Sequence, residues 1–277
     1  MSTLLGVAVD KVLQQILVTP GSKAGLSKRL PNDDFGWEKE SAKAELIKLL
    51  DRLNDLQAKL HAEGTRALLV VIQAMDAAGK DGTIRSLHAG LNPSFVKVSS
   101  FKAPTGREAD MDYLWRIHGV CPAQGEIGIF NRSHYEDVLV VRVKSFVSKA
   151  RWSKRYDQIN DFEKLLADEG TRIIKIHLQI SSEEQRLRLQ DRIDDPTEQW
   201  KFRKGDLDDR KLWPDYMAAY EDALTKTSTS HAPWFVVPGD RKWVRNLVVA
   251  RLLVATLEDM NPKYPPVDPT LAGLKVE

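Results

Sequence analysis

One stretch, ALLVVIQAMDAAGKDGT at residues 67–83, constrains the fold more than any other part of the chain. Residues 68–72 form a continuous apolar run rich in β-branched side chains, the pattern of a strand buried on both faces of a parallel sheet. The run leads directly into small residues and two glycines, Gly79 and Gly82, around one lysine, Lys80. The glycines let the backbone turn tightly so that its N–H groups converge. A helix starting near Thr83 would aim its positive end at the same point. Such a turn is suited to an anion, and to phosphate in particular. Its candidate contacts are Ala77, Ala78, Gly79, Lys80, Asp81, Gly82 and Thr83. The stretch departs from the common G-x-x-x-x-G-K-[ST] pattern in two places: Ala74 replaces the first glycine, and Asp81 occupies the position of the usual magnesium-binding hydroxyl. A glycine turn with a solvated lysine is the bland alternative. The preceding strand and the flanking Asp76 and Asp81 weigh against it.

A chain of 277 residues can bury a substantial core, and this length suits one large α/β domain with insertions better than two independent domains. Lysine plus arginine number 41 against 39 aspartate plus glutamate, so a net charge of +2 gives no general attraction to nucleic acid. The lone cysteine, Cys121, cannot form an internal disulfide, which fits a reducing cytosol. The six histidines lack metal-ligand spacing and read as structural. The first twenty residues, interrupted by Asp10 and Lys11, read neither as a signal peptide nor as a membrane span. From Asn261 onward the proline-rich tail reads as extended.

Leu46, Leu49, Leu50, Leu53, Leu56 and Leu60 follow the spacing of an amphipathic helix, which Gly64 would end as a left-handed cap. Apolar strand-like runs recur at 95–101, 126–130, 172–180 and 234–237, separated by helical stretches. Ser181 with Glu184 forms a capping-box pattern before one of these helices. Strands alternating with helices over the whole length predict a three-layer α/β sandwich with a parallel sheet of about five strands. Ligands in such sheets bind beyond the carboxyl ends of the strands, where the residue 74–83 turn lies. The segment 194–213, DDPTEQWKFRKGDLDDRKLW, mixes both charge signs with tryptophans and reads as a mobile lid or helical hairpin. On composition alone, a solvated connection is nearly as good a reading.

A second acidic site follows the strand EIGIF, where NRSHYEDVLV places Arg132, Glu136 and Asp137 at and just beyond a strand end. Asp137 is the candidate metal ligand from a neighbouring strand. Asp76 is the second, because a carboxylate inside a phosphate loop repels its ligand unless a cation lies between them. Two anionic substrates brought together need compensating positive charge, for which Lys102, Arg116, Arg132, Arg192, Lys201 and Lys204 are the candidates. Residues 142–155 carry six basic side chains and no acidic one, either a track for a polyanion or, slightly favoured, one face of a solvated helix.

Taken together, QAMDAAGKDGT, SFKAPT, DYLWRIHG, GEIGIFNRSHYEDVLV, WKFRKGDLDDRKLW and TSTSHAPWFVVPGDRKW, in this order, closely resemble the family-2 polyphosphate kinases. The form YEDVLV looks like the subgroup termed class III, whose members phosphorylate both nucleoside monophosphates and diphosphates. The resemblance implies a P-loop kinase-like fold over residues 35–262 with a helical lid at about 194–213, flanked by an extension at 1–34 and a tail at 263–277. It implies inorganic polyphosphate as donor, AMP or ADP as acceptor with ADP or ATP as product, and dependence on Mg²⁺, with Mn²⁺ as a substitute. It further implies that Asp76, Lys80, Arg132 and Asp137 match the catalytic core, that Asp76 and Asp137 hold the metal, and that Arg192, Lys201 and Lys204 belong to the lid. A cytoplasmic homo-oligomer, a tetramer, with no nucleic-acid or membrane partner completes the expectation. Two other readings stand beside it: an ATP-dependent kinase of nucleotides or small metabolites, and a non-catalytic nucleotide- or polyphosphate-binding module. The phosphate loop cannot by itself separate the first of these from a polyphosphate enzyme. Carboxylates placed beside phosphate speak against the second.

Overall fold

The protein is described by a computed structural model covering residues 10–276. The reading of the first twenty residues falls in part on 1–9, outside the described residues. In chain order, helix α1 (Lys11–Ile16) leads into strand β1 (Leu17–Val18), and α2 (Lys39–Glu63) precedes β2 (Ala67–Gln73). Helix α3 (Lys80–His88) and strand β3 (Val96–Ser100) follow, with the short helices α4 (Arg107–Asp110) and α5 (Trp115–His118) before β4 (Ile127–Asn131). Helices α6 (Val140–Val143), α7 (Lys149–Trp152) and α8 (Arg155–Asp168) lead to β5 (Thr171–Gln179). The remaining elements are α9 (Ser182–Asp194), α10 (Lys204–Lys211), α11 (Trp213–Thr227), β6 (Trp234–Pro238) and α12 (Lys242–Met260).

The strands form one sheet in the order β1-β6-β5-β2-β4-β3. β2 to β6 run parallel, as the five apolar runs predict. The sixth strand, β1, is two residues long and adds antiparallel to the edge, Leu17 opposite Phe235 and Val18 opposite Trp234. From β2 the chain moves to β3 and back to β4 on one side, then crosses to β5 on the other, so the crevice opens at the carboxyl end of β2.

Strand alternation divides the core into two layers. Leu68, Val70 and Ile72 of β2 face Leu53, Leu56 and Leu60 of α2 and the apolar side of α12. Leu69 and Val71 face Tyr156, Ile159 and Phe162 of α8 and Ala219, Tyr220 and Ala223 of α11. β2 is buried on both sides, which explains its unbroken apolar sequence.

Helix α2 keeps the leucine register of the sequence and stops at Gly64, whose φ of 64° lets its N–H return to Leu60 O at 3.1 Å. Ser181 caps α9, its hydroxyl accepting from Glu184 N at 3.1 Å. Two expectations need correction. α3 begins at Lys80 instead of near Thr83, because the left-handed Gly79 is itself the cap. The basic run 142–155 is not one continuous solvated helix: it breaks into α6, α7 and the start of α8, where Arg142, Lys144 and Arg155 pair with Asp222, Asp209 and Asp137 while Lys149, Arg151 and Lys154 stay exposed.

The segment at 194–213 contains a 3₁₀ turn, Gln199–Lys201, followed by α10, and Trp200 stands 78 % exposed on it. Among the described residues, no helix is long and apolar enough to cross a membrane.

Candidate active site

Strand β2 delivers Gln73 to the carboxyl rim of the sheet, and residues 74–79 fold back to start α3 at Lys80. Two left-handed residues make the turn, Ala77 at φ 62° and Gly79 at φ 101°. An alanine in that region costs on the order of 1 kcal/mol, strain that is typical of backbone held to a task. Thr83 closes the first helical turn with its N–H at 2.9 Å and its hydroxyl at 3.1 Å from Gly79 O.

Lys80 is buried, and its Nζ curls back to donate to Ala74 O at 2.9 Å and Met75 O at 3.3 Å. Burial, then the nearby Arg132 guanidinium, pushes its pKa down to about 8, against the pull of Asp76, Glu136 and Asp81. Burial would raise the Asp76 carboxyl. Lys80, Arg132, Arg192 and Lys144 together overcome it and hold the group below its ordinary value.

At the neighbouring strand end, Arg132 also adopts a left-handed φ of 64°, and its N–H bonds Ile72 O at 3.0 Å, tying the end of β4 to β2. Its guanidinium reaches Asp76 at 2.6 Å and Glu136 at 3.4 Å. Asn131 donates to the Asp81 carboxylate at 2.7 Å, so the residue that replaces the usual hydroxyl anchors α3 to β4.

The turn that follows is built by Ser133, whose hydroxyl accepts from Tyr135 N at 3.2 Å and from the Gln73 side chain at 3.2 Å. Asp137 stands at its end, with Arg155 Nη1 at 2.7 Å from its carboxylate and 2.9 Å from its carbonyl oxygen. Burial raises the Asp137 pKa, opposed by Arg155 and Arg116. Asp76 and Asp137 therefore follow two neighbouring parallel strands on one rim of the sheet.

The remaining candidates are placed less uniformly. Arg116 donates to Lys102 O at 2.7 Å and to Glu108 at 3.3 Å, while its charge acts on Asp137. Lys102 contributes that carbonyl to the contact. Arg192 acts on Asp76 from the end of α9. Lys201 pairs with Glu198 at 2.5 Å within its own segment, and Lys204 opens α10. Asp76, Lys80, Arg132 and Glu136 thus form one cluster, with Arg192 close enough to act on it.

With this geometry, the sequence matches the family described as Polyphosphate kinase 2 over residues 36–265. The AMP/ADP-polyphosphate phosphotransferase of Meiothermus ruber is 51 % identical over 266 residues, spanning 95 % of this chain and 99 % of that protein. The ADP-polyphosphate phosphotransferase of Rhodopseudomonas palustris is 41 % identical, with 92 % and 93 % covered. A crystal structure of polyphosphate kinase 2 from Arthrobacter aurescens TC1 superimposes with a TM-score of 0.88 at 42 % identity, covering 92 % of each chain. The chain belongs to the polyphosphate kinase 2 family.

In this polyphosphate kinase 2 chain, several residues around the site escape a reading of the sequence. Lys175 on β5 is fully buried and donates to Glu163 of α8 at 2.5 Å, to Tyr135 OH at 2.8 Å and to Thr227 O at 2.6 Å. Glu163 also bonds Tyr135 OH at 2.9 Å and lies 3.2 Å from His134 Nε2. Glu163 and Arg155, both on α8, thereby hold at two points the turn that carries Glu136 and Asp137. Burial would raise the Glu163 carboxyl, yet Lys175 and His134 hold it low. Gln185 adds a bond to Asp76 O at 3.0 Å. The one available signal was a lysine inside the apolar strand TRIIKIHLQ, where a charge survives only with a partner.

Proposed function

We infer that this enzyme transfers the terminal phosphoryl group of inorganic polyphosphate to ADP, AMP or both, forming ATP or ADP. The observation that carries this reading is the cluster of Lys80, Asp76 and Arg132 at the rim of β2, in a chain similar from end to end to proteins named for that reaction. An ATP-dependent kinase would share the loop, but the relatives' names favour polyphosphate as donor.

The acceptor's terminal phosphate oxygen is ionised at neutral pH and needs no general base. It attacks the terminal phosphorus of the polyphosphate in line. The bond from that phosphorus to the bridging oxygen breaks, and its electron pair leaves on the shortened chain. Lys80 and the N–H groups of residues 77–83 would hold the phosphates of one substrate. Arg132 would spread the charge that builds on the transferred oxygens. Arg192, Lys201 and Lys204 would close over the site with the 194–213 segment and keep water from competing as acceptor.

Phosphoryl transfer of this kind needs a divalent metal, and Mg²⁺, replaceable by Mn²⁺, fits the residues present. The donors would be the hard carboxylate oxygens of Asp76 and Asp137, which follow neighbouring parallel strands. Two carboxylates leave positions for water and phosphate oxygens, the habit of Mg²⁺. When bound, the ion supplies charge neutralisation on the phosphates. The reading extends to a cytoplasmic homo-oligomer, a tetramer, without nucleic-acid or membrane partners, in keeping with the net charge of +2.

A donor and acceptor screen tests the proposal. ATP should form from ADP, and ADP from AMP, with polyphosphate as sole donor. Turnover with ATP as donor and a non-nucleotide acceptor, but none with polyphosphate, would overturn it. Light scattering on the purified protein checks the tetramer.

A further inference from the structure

Two guanidinium groups lie against the phosphate loop where its carbonyl oxygens face inward. Arg188, within α9, donates through Nη1 to Ala77 O at 3.2 Å and Ala78 O at 3.0 Å. Its Nη2 reaches Gly239 O at 2.7 Å and Asp240 O at 2.8 Å, and its Nε the Glu184 carboxylate at 2.7 Å. Arg245, in the first turn of α12, approaches Ala78 O with Nη1 at 3.4 Å and shares the Asn246 side-chain oxygen between Nε at 3.1 Å and Nη2 at 2.9 Å. A Cβ on Gly79 would fall 1.9 Å from Arg245 Nη1, and one on Gly82 would fall 3.2 Å from Nη2. The guanidinium is therefore packed closely against the turn from which Lys80 departs.

Arg188 is 8 % and Arg245 3 % exposed. Arg188 has Glu184 as its counter-charge. Among the described residues, none forms an ion pair with Arg245, whose hydrogen-bond acceptors are all neutral. Burial, and then the neighbouring Arg188 cation, lowers its pKa to about 10. A buried charge beside a like charge is costly to keep, and a neutral amide could serve the same carbonyls. The loop above it is suited to a polyanion, which would provide the missing negative charge.

We propose that Arg245, seconded by Arg188, is a cationic floor beneath the phosphate loop, uncompensated in the free protein and neutralised through the loop by the bound phosphate chain. Arg245 is a positioning residue here, acting through the backbone of Ala78 to Gly82. The proposal rests on reading residues 74–83 as the phosphate site.

Calorimetric titration of the full chain with inorganic tripolyphosphate, in the absence of metal, tests it on R245M, R245K and K80M. R245M should bind about tenfold more weakly than the parent. R245K, which keeps the charge and loses the fork of donors, should stay within about threefold. The ligand-free melting temperature of R245M should equal or exceed that of the parent, because a costly charge is gone. Parent-like binding by R245M, or a defect in R245K as large as that in R245M, reduces Arg245 to a clasp and overturns the proposal. Failure of R245M to fold overturns it as well, since the charge would then not be a cost. Weak binding in K80M alone removes only the floor. Unchanged binding in both K80M and R245M removes the phosphate-site reading itself.

Discussion

Arg132 reaches across from the end of β4 to place its guanidinium 2.6 Å from the Asp76 carboxylate at the end of β2. Glu136 and Asp76 more than offset the burial that would lower the Arg132 pKa, so the group stays charged at any working pH. Its backbone is left-handed as well, which fixes the direction from which the side chain enters. Arg132→Met should lower kcat by about a hundredfold or more, the usual effect of losing a charge partner for developing oxyanions. Arg132→Lys should recover only part of that, because an ammonium cannot bridge Asp76 and Glu136 at once. Steady-state rates with saturating polyphosphate decide the matter; a fully active lysine variant would show that charge alone suffices.

The Glu163–Lys175 pair supports the turn before Asp137 from a site without solvent. Glu163→Gln leaves the Lys175 ammonium in the core without its counter-charge, and breaking such a pair costs about 3–5 kcal/mol. The double variant Glu163→Gln with Lys175→Met should recover a good part of the loss, since no charge is then left stranded. Denaturant midpoints of the three proteins give the comparison. Equal stabilities for the single and double variants would mean that the pair is not coupled.

These two relationships differ in how far the sequence discloses them. Asp76, Lys80 and Arg132 lie at strand ends in segments whose apolar runs mark the strands, so topology alone gathers them on one rim. Four of the five parallel strands were legible for the same reason, each being built round a short apolar run, whereas β3 reads VKVSS, with two apolar residues among five. β1 was not, because two residues carry no periodicity and pairing with Trp234 and Phe235 is a long-range event. Glu163 and Arg155 look like ordinary surface charges of an amphipathic helix. Only the docking of α8 against the sheet makes them internal. Arg188 and Arg245 were hidden likewise, each being one arginine in a helix until the loop closes over both.

Lys80 ionises at about 8 in the folded chain against an ordinary 10.5, so between these pH values the folded protein holds fewer protons than the unfolded one. Its contribution to stability is therefore a cost below pH 8 that is withdrawn as pH rises toward 10.5. Anion binding has the opposite sign, because a phosphate favours the ammonium and binding takes up a proton above pH 8. Affinity for tripolyphosphate should fall by up to about tenfold per unit above that value. Lys80→Arg should bind with a flatter profile, and comparing the two proteins cancels the ligand's own ionisation. Parallel profiles from pH 7 to 9.5 would show that Lys80 does not titrate there.

As the proposed metal ligands, Asp76 and Asp137 differ in local charge. Asp76 is held ionised by Lys80, Arg132, Arg192 and Lys144, whereas burial makes Asp137 harder to ionise and Arg155 already occupies part of its carboxylate. On that proposal a cation arriving at Asp137 would compete with the guanidinium, which would make this residue the weaker of the two ligands. Chelation with EDTA should abolish turnover, and Mg²⁺ or Mn²⁺ should restore it. Both Asp76→Asn and Asp137→Asn should raise the Mg²⁺ concentration needed for half-maximal rate, Asp76→Asn by the larger factor and by at least about tenfold. Arg155→Met should move the requirement the other way, freeing the Asp137 oxygen for the ion, provided the turn keeps its place through Glu163. A Mg²⁺ titration of the four proteins at fixed substrate separates these outcomes, and an unchanged requirement in Asp137→Asn would remove that carboxylate from the metal site.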